Sequence, residues 1–161
     1  MAHILIADDD DLIAEVIGDA LAEAGHPSRH VPSAAAAWDS LHAHRADLLL
    51  LDLDMPGMPG PALLARLRRS LLFYDLPVVI LTAMRRAVEG GLDEEEAIRA
   101  GAQDFLRKPF EPAALVARIE AALAHGVAPF SPTWSWENAR GEDVCGSALH
   151  RQRHLERPRR A

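Results

Sequence analysis

The sequence predicts an α/β fold in which five parallel strands form one sheet and five helices cover both of its faces. Short apolar runs alternate with helical patterns along most of the chain. One run, Leu48 to Leu51, is apolar at every position, which is typical of a strand buried on both faces. Strict alternation of strand and helix implies right-handed crossovers and a doubly wound sheet. The chain has 161 residues, 49% of them apolar, which is enough for one such domain with a core and for some further residues outside it.

The first strand is predicted over His3 to Ala7 and the first helix over about Asp11 to Ala24. Gly25 provides the left-handed residue that ends this helix. One apolar row along the helix, which we expect to face inward, comprises Leu12, Val16, Ala20 and Ala24.

The second strand is the weaker apolar run Ser28 to Val31. Ser33 is a suitable N-cap for the second helix, which runs to about His44. The third strand, Leu48 to Leu51, is followed by Asp52 and then by a Met-Pro-Gly turn that stops it.

Pro61 lies in the first turn of the third helix, where a missing backbone N–H costs nothing. Along this helix the leucines at 63, 64 and 67 are predicted to face inward, and the arginines at 66, 68 and 69 are predicted to form a solvated face. The fourth strand is predicted over Val78 to Leu81 and the end of the fourth helix over Asp93 to Ala100.

The fifth strand is predicted over Asp104 to Leu106, and Pro112 starts the fifth helix. The residues of this helix that we expect to face inward are Leu115, Val116, Ile119 and Leu123. The domain boundary is placed after His125, so that residues 1–125 form one domain and residues 126–161 an extension.

The extension has prolines, glycines and no sustained period, and it contains no recognisable output domain. Its basic end has the composition of a disordered or weakly helical tail. Phe130, Trp134 and Trp136 are clustered aromatics, so we expect them to pack on their own domain, a second copy or a partner.

The charge, the cysteine content and the apolar runs of the chain indicate which partners and which compartment it suits. Residues 1–125 carry 20 acidic and 11 basic groups, a balance that suits metal cations or basic partners and argues against a nucleic-acid surface. Cys145 has no second cysteine to pair with, which fits a reducing compartment. The amino terminus lacks a basic leader and no apolar run is long enough to span a membrane. We therefore expect a cytoplasmic protein without membrane contact.

Four predicted strands end in polar groups that could converge: Asp8 and Asp9, Asp52, Thr82 and Lys108. In open α/β sheets ligands bind beyond the carboxyl ends of the strands. Three clustered carboxylates repel one another unless a hard cation neutralises them, and Mg²⁺ suits oxygen ligands. A metal beside a carboxylate nucleophile can bind a phosphoryl group, while a hydroxyl and an ammonium hold its other oxygens.

Lys108 is the only lysine in the chain, beside sixteen arginines, which suggests that its position requires a compact point charge. The bond between Lys108 and Pro109 is a candidate cis peptide. Asp10 and Asp11 have a simpler explanation, since acidic residues favour a helix amino terminus. The eight histidines are scattered and are assigned no metal.

From residue 1 to about residue 125 the chain resembles the receiver domain of two-component response regulators, of the CheY-like superfamily. The resemblance rests on ILIADDD at the first strand, DLLLLDLDMPGMPG at the third, VVILTA at the fourth and GAQDFLRKPF at the fifth. It implies a flavodoxin-like sheet with strand order 2-1-3-4-5. It further implies that Asp52 accepts a phosphoryl group from a sensor histidine kinase or a phosphotransfer protein.

The resemblance also assigns the residues around Asp52. Asp8, Asp9, Asp52 itself and the backbone carbonyl of Asp54 would position Mg²⁺.

Thr82 and Lys108 would hold the phosphoryl oxygens. Phe105 matches the family's aromatic switch residue, which turns inward as the threonine moves toward the phosphate, although a core position alone would also explain a phenylalanine there.

Two features depart from the family pattern. The stretch between Thr82 and Lys108 is a few residues longer than usual, with Glu89 to Gly91 as an added turn. The lack of a recognisable output domain favours output through a protein partner, bound by the face of the fourth helix, fifth strand and fifth helix. The sequence leaves open whether the chain forms a homodimer. Direct contact with nucleic acid is not expected.

Two other functions compete. DLDMP also resembles the start of haloacid-dehalogenase-like phosphatases, but those enzymes place their acidic metal pair after the lysine, whereas Asp8 and Asp9 precede it here. The other is an interaction module that keeps the receiver fold and works without phosphorylation, which the intact set of site residues disfavours. We expect a phosphoacceptor that reacts with itself as substrate, not a turnover enzyme.

Overall fold

The structure, a computed structural model, describes residues 1–83 and 93–125, which form an open parallel sheet of five strands in the order β2-β1-β3-β4-β5. The fold class and the strand order are therefore confirmed. The strands are β1 (Ile4–Ala7), β2 (Ser28–Val31), β3 (Leu48–Asp52), β4 (Val78–Thr82) and β5 (Asp104–Arg107).

Several predictions fall outside the described residues and stay predictions. They concern the domain boundary after His125, the added turn at Glu89 to Gly91, and the extension with Phe130, Trp134, Trp136 and Cys145.

Five helices connect or follow the strands: α1 (Asp11–Glu23), α2 (Ala34–Ala43), α3 (Gly60–Arg68), α4 (Glu94–Arg99) and α5 (Pro112–His125). Their ends follow local chemistry. The Ser33 side chain accepts a hydrogen bond from the Ala36 amide, and Gly25 after α1 has φ +82°, as predicted. Helix α4 begins with a reciprocal capping box between Asp93 and Glu96.

Strand β3 is buried on both faces, as its four leucines predicted. Leu49 and Leu51 belong to a core layer formed with α2, α3 and α4. Leu48 and Leu50 belong to the opposite layer, formed with α1 and α5. Because successive side chains of a strand point to opposite faces, an unbroken apolar run fills both layers at once.

The inward row predicted for α1 is wrong. Leu12 is 74% exposed and Val16 51% exposed, whereas Ile17 and Leu21 are fully buried. A second apolar row of the same helix, offset by about one residue, packs on the sheet. Both rows have helical spacing, so periodicity alone could not choose between them.

The solvated face predicted for α3 is wrong at one position. Arg66 and Arg69 are exposed, but Arg68 is only 8% exposed. Its guanidinium donates to the carbonyl of Gly101 over 2.9 and 2.6 Å and to the carbonyls of Phe73 and Tyr74 over 3.3 Å. Burial lowers the pKa of Arg68 to about 10, against the opposing charge of Asp75, so Arg68 is a buried cation that joins three segments.

The inward face of α5 is confirmed. Leu115 and Ile119 are fully buried, and Val116 and Leu123 pack against the same core layer. No helix within residues 1–83 and 93–125 is long and apolar enough to cross a membrane.

Candidate functional site

A crevice at the carboxyl edge of the sheet brings together side chains from the ends of β1 and β3. Ala7 pairs with Leu51 in parallel register, so the next residues, Asp8 and Asp52, lie side by side. Both carboxylates are withdrawn from solvent, with Asp8 0% and Asp52 3% exposed. Two buried acids on neighbouring strands repel one another, so they need cationic or hydrogen-bonding partners.

Lys108, which follows β5, supplies the cation. Its Nζ lies 2.6 Å from Oδ2 of Asp8 and 3.4 Å from Oδ2 of Asp52, so one ammonium serves both acids. The Lys108 amide donates to the Thr82 carbonyl over 2.7 Å, which ties the residue to the end of β4. The Lys108–Pro109 bond is cis, as anticipated.

Asp8 and Asp52 also form hydrogen bonds with other groups of the chain. The Asp10 amide donates to Oδ1 of Asp8 over 2.9 Å, and the Asp54 amide donates to Oδ1 of Asp52 over 3.0 Å. The ring of His30 on β2 contacts the Asp8 carbonyl through Nε2 at 2.7 Å. The hydrogen bonds from the two amides fix the orientation of the carboxylates of Asp8 and Asp52.

The protonation of the site reflects burial more than any single neighbour. Burial raises the pKa of Asp52 to about 6, and the charge of Asp8 acts in the same direction. The Asp54 amide and Lys108 act against this rise. Burial works to lower the pKa of Lys108, but its hydrogen bond to Asp8 and the charges of Asp52 and Asp8 outweigh it and raise that pKa. At neutral pH Asp52 is therefore mostly an ionised carboxylate beside an ammonium.

Asp8, Asp9 and Asp52 form an acidic trio. Each contributes a carboxylate oxygen, and these oxygens lie within 4.8 Å of one another. Asp9 is exposed while the other two are buried, so the trio opens to solvent on one side. Hard oxygen donors, excess negative charge and an open side fit Mg²⁺, which prefers carboxylates and retains waters. The residues present therefore suit the predicted cation.

Thr82 reaches the site through a neighbour. Its hydroxyl donates to Oδ2 of Asp54 over 3.5 Å, and the Ala83 amide donates to the same oxygen over 3.3 Å. The Asp54 side chain, for which the sequence suggested no task, thus links the ends of β3 and β4.

Phe105 on β5 is buried in the core layer of α2, α3 and α4, where Ile80 of β4 is its register partner. Its carbonyl accepts from Nη1 of Arg118 on α5 over 3.1 Å. This burial agrees with a core residue as much as with an inward switch residue, so the switching role of Phe105 stays a prediction.

Sequence reasoning missed His30 and the side chain of Asp54. His30 pairs with Ile6 in the β1–β2 register, which places it near the end of β1. The expected strand order already put β2 beside β1, but it did not give the register that pairs His30 with Ile6. Asp54 follows a strand that borders β4, but the strand order does not give the direction of its side chain toward Thr82.

The doubly wound sheet with its acidic trio and single lysine defines a receiver-type signalling domain. Residues 4–120 match the family model described as the response regulator receiver domain. The chain belongs to this family, which serves two-component signal transduction.

The chain is similar to transcriptional regulators. It is 36% identical over 121 residues to the transcriptional regulatory protein CseB of Streptomyces coelicolor, covering 75% of this chain and 49% of that protein. It is 38% identical over 121 residues to the phosphate regulon transcriptional regulatory protein PhoB of Pseudomonas aeruginosa, covering 74% and 51%. The chain thus spans about half the length of these curated relatives.

A solved structure supports the same assignment. The receiver domain of the Francisella response regulator 1452 superimposes with a TM-score of 0.68 at 28% identity, covering 78% of this chain and 98% of that one. The similarity to receiver domains therefore extends over nearly the whole of the solved domain.

Proposed function

We propose that this protein is a phosphoacceptor that takes a phosphoryl group on Asp52 from a histidine kinase or a phosphotransfer protein. The observation that carries the proposal is the convergence of the acidic trio with Lys108 Nζ in one crevice. Structural ion pairs seldom combine two buried carboxylates, one exposed carboxylate and a shared ammonium.

The transfer uses Asp52 of this chain as the acceptor and an imidazole of the donor protein as the leaving group. An oxygen of Asp52 attacks phosphorus, and the bond from phosphorus to the donor's imidazole nitrogen breaks with its electron pair left on that nitrogen, which takes a proton from solvent. The product is an acyl phosphate on Asp52. Lys108 is placed to compensate the charge that spreads over the transferring oxygens.

The acidic trio and the backbone carbonyl of Asp54 would hold Mg²⁺, which when bound neutralises charge on the trio and on the phosphoryl oxygens. Thr82 would take one phosphoryl oxygen through its hydroxyl. Coupling of Thr82 to Phe105 would then change the surface formed by α4, β5 and α5, where we place the downstream protein partner.

Intact-mass measurement tests the proposal. Incubation with Mg²⁺ and acetyl phosphate should add one phosphoryl group to the wild-type chain and none to Asp52→Asn. Asp39→Asn removes an exposed acid on α2 and is the matched control, which should be labelled normally. An unlabelled wild type would instead support an interaction module that works without phosphorylation.

Turnover of phosphate monoesters supplies the second readout. A receiver should consume a small phosphodonor slowly through its own acyl phosphate and should not hydrolyse phosphate monoesters. Sustained release of phosphate from such esters, lost in Asp52→Asn, would contradict the assignment as a phosphoacceptor.

A further inference from the structure

The Asp54 carboxylate lies between the phosphoacceptor and the end of β4. Asp52 pairs with Leu81 in the β3–β4 register, so residues just after the two strands remain neighbours. The Asp54 amide donates to Asp52, while the Asp54 carboxylate turns toward Thr82 and Ala83. One residue therefore contacts the nucleophile through its backbone and the neighbouring strand end through its side chain.

Two donors at the end of β4 converge on one anionic oxygen. Oδ2 of Asp54 accepts from the Thr82 hydroxyl at 3.5 Å and from the Ala83 amide at 3.3 Å. A hydroxyl and an amide aimed at one carboxylate oxygen are also the donors that a phosphoryl oxygen would use, because both ligands present a negatively charged oxygen acceptor.

We propose that the Asp54 carboxylate holds the receiver in its unphosphorylated state by occupying the Thr82 hydroxyl and the Ala83 amide until a phosphoryl group on Asp52 displaces it. This inference rests on the proposed phosphoacceptor function of Asp52. It assigns a regulatory task to the Asp54 side chain, separate from the metal-binding task proposed for its backbone carbonyl.

The burial of the participants favours a reversible exchange. Thr82 is only 9% exposed, so most of this residue is withdrawn from solvent. Asp54 is exposed, and its carboxylate regains hydration when it is released. Both bonds are long for their type, which makes the restraint weak and easily displaced.

Variants of Asp54 test the restraint through the rate of phosphorylation. Asp54→Ala removes the acceptor and leaves the backbone intact, so we expect labelling by acetyl phosphate with Mg²⁺ to accelerate about two- to fivefold. Asp54→Asn keeps one acceptor oxygen without charge and should lie between Asp54→Ala and wild type. The two variants together keep the test valid if one of them folds poorly.

Asp11→Asn is the matched control for charge. Its carboxylate is also exposed near the crevice, but it faces His30 at 3.8 Å and contacts neither Thr82 nor Ala83 in the part of the chain that is described. We expect this variant to change the labelling rate less than Asp54→Ala does. An equal acceleration in Asp11→Asn would show a general charge effect and overturn the proposed contact.

Nuclear magnetic resonance gives a readout that does not depend on phosphorylation. In the free protein, the Ala83 amide resonance should shift in Asp54→Ala and stay in place in Asp11→Asn. An unchanged Ala83 amide, or an Asp54→Ala rate equal to or below wild type, would overturn the inference while leaving Asp52 as phosphoacceptor. A wild-type chain that takes no phosphoryl group would overturn the proposed function itself.

Discussion

Asp52 combines two properties that oppose one another in a single carboxyl group. Its burial disfavours the charged form and raises its pKa to about 6, yet the phosphoacceptor role proposed for it requires the charged form. The contacts of Asp52 with Lys108 and with the Asp54 amide stabilise the charged carboxylate and replace part of the hydration that it loses on burial. Asp52 is therefore mostly ionised at neutral pH, at a cost in stability that its proposed role as nucleophile would explain.

This cost predicts how stability depends on pH. The pKa of Asp52 rises from 3.8 to about 6 on folding, so the folded state binds more protons between these values and stability falls as pH rises through them. Asp52→Asn removes this loss, and we expect it to raise the free energy of unfolding at pH 7.5 by about 1–3 kcal/mol without Mg²⁺. Urea unfolding of both proteins from pH 4 to 8 measures the difference.

The difference between the two proteins should shrink as pH falls from 6 toward 4, because Asp52 is then protonated in the folded state. Carboxyl groups far from Asp52 keep the same surroundings in both proteins, so their contributions cancel in the difference. A constant difference across this range, or a less stable Asp52→Asn at pH 7.5, would contradict the raised pKa.

Mg²⁺ should stabilise the chain by relieving repulsion within the acidic trio. At tenfold excess over its dissociation constant we expect the melting temperature to rise by about 3–8 °C at neutral pH. Asp9→Asn should retain half of this gain or less, because it removes one of the three converging oxygens. Calorimetry with and without Mg²⁺ gives both values.

Asp39→Asn, on the exposed surface of α2, should keep the full gain and serves as the control. Calcium and a chelator complete the series. A wild-type melting temperature that Mg²⁺ leaves unchanged would count against the trio as a cation site.

At the scale of the element, α1 shows why a helix can be predicted well while its orientation is not. Its start and end follow from the Asp10 cap and from Gly25, both visible in the sequence. Its apolar residues, however, form two adjacent rows, and the sheet packs on the row that contains Ala14, Ile17 and Leu21.

Truncation of each row should give clearly different results. Ile17→Ala removes a fully buried side chain, so we expect a loss of about 2–4 kcal/mol in the free energy of unfolding. Leu12→Ala removes an exposed one and should change it by at most about 0.5 kcal/mol. Urea unfolding at neutral pH measures both, and comparable losses would contradict this packing of α1.

At the scale of the whole molecule, Arg68 joins segments that are distant in the chain. From the end of α3 it bonds to the turn before β5 at Gly101 and to the segment before β4 at Phe73 and Tyr74. Gly101 has φ +104°, and a Cβ there would lie 2.7 Å from Nε of Arg68, so the turn also lacks room for a side chain.

Removal of this buried cation should destabilise the entire domain. Arg68→Ala removes a donor from the carbonyls of Gly101, Phe73 and Tyr74, of which Phe73 still accepts from the Leu76 amide, and we expect a loss of about 2–4 kcal/mol. Arg69→Ala, one residue further along and exposed, is the matched control and should lie within about 0.5 kcal/mol of wild type. If urea unfolding showed the two variants to be equally stable, the hydrogen bonds of Arg68 would not contribute to the stability of the domain.

Much of the site could be predicted because it lies at strand ends. Asp8, Asp52 and Lys108 each follow an apolar run, and parallel strands bring their carboxyl ends to one edge. The side chain of Asp54 and the ring of His30 could not be placed in this way, because their contacts depend on the strand register and on the direction of each side chain, which the strand order alone does not give.

The sequence by itself determined the alternation of strands and helices, the helix caps and the chemical types at the strand ends, since local periodicity, turns and capping chemistry encode them. Only the tertiary structure decided that Ile17 and not Leu12 is buried, that Arg68 faces inward, and that Asp54 bridges toward Thr82. These outcomes depend on contacts between residues far apart in the chain, and local spacing contains no information about which of two competing faces the sheet covers.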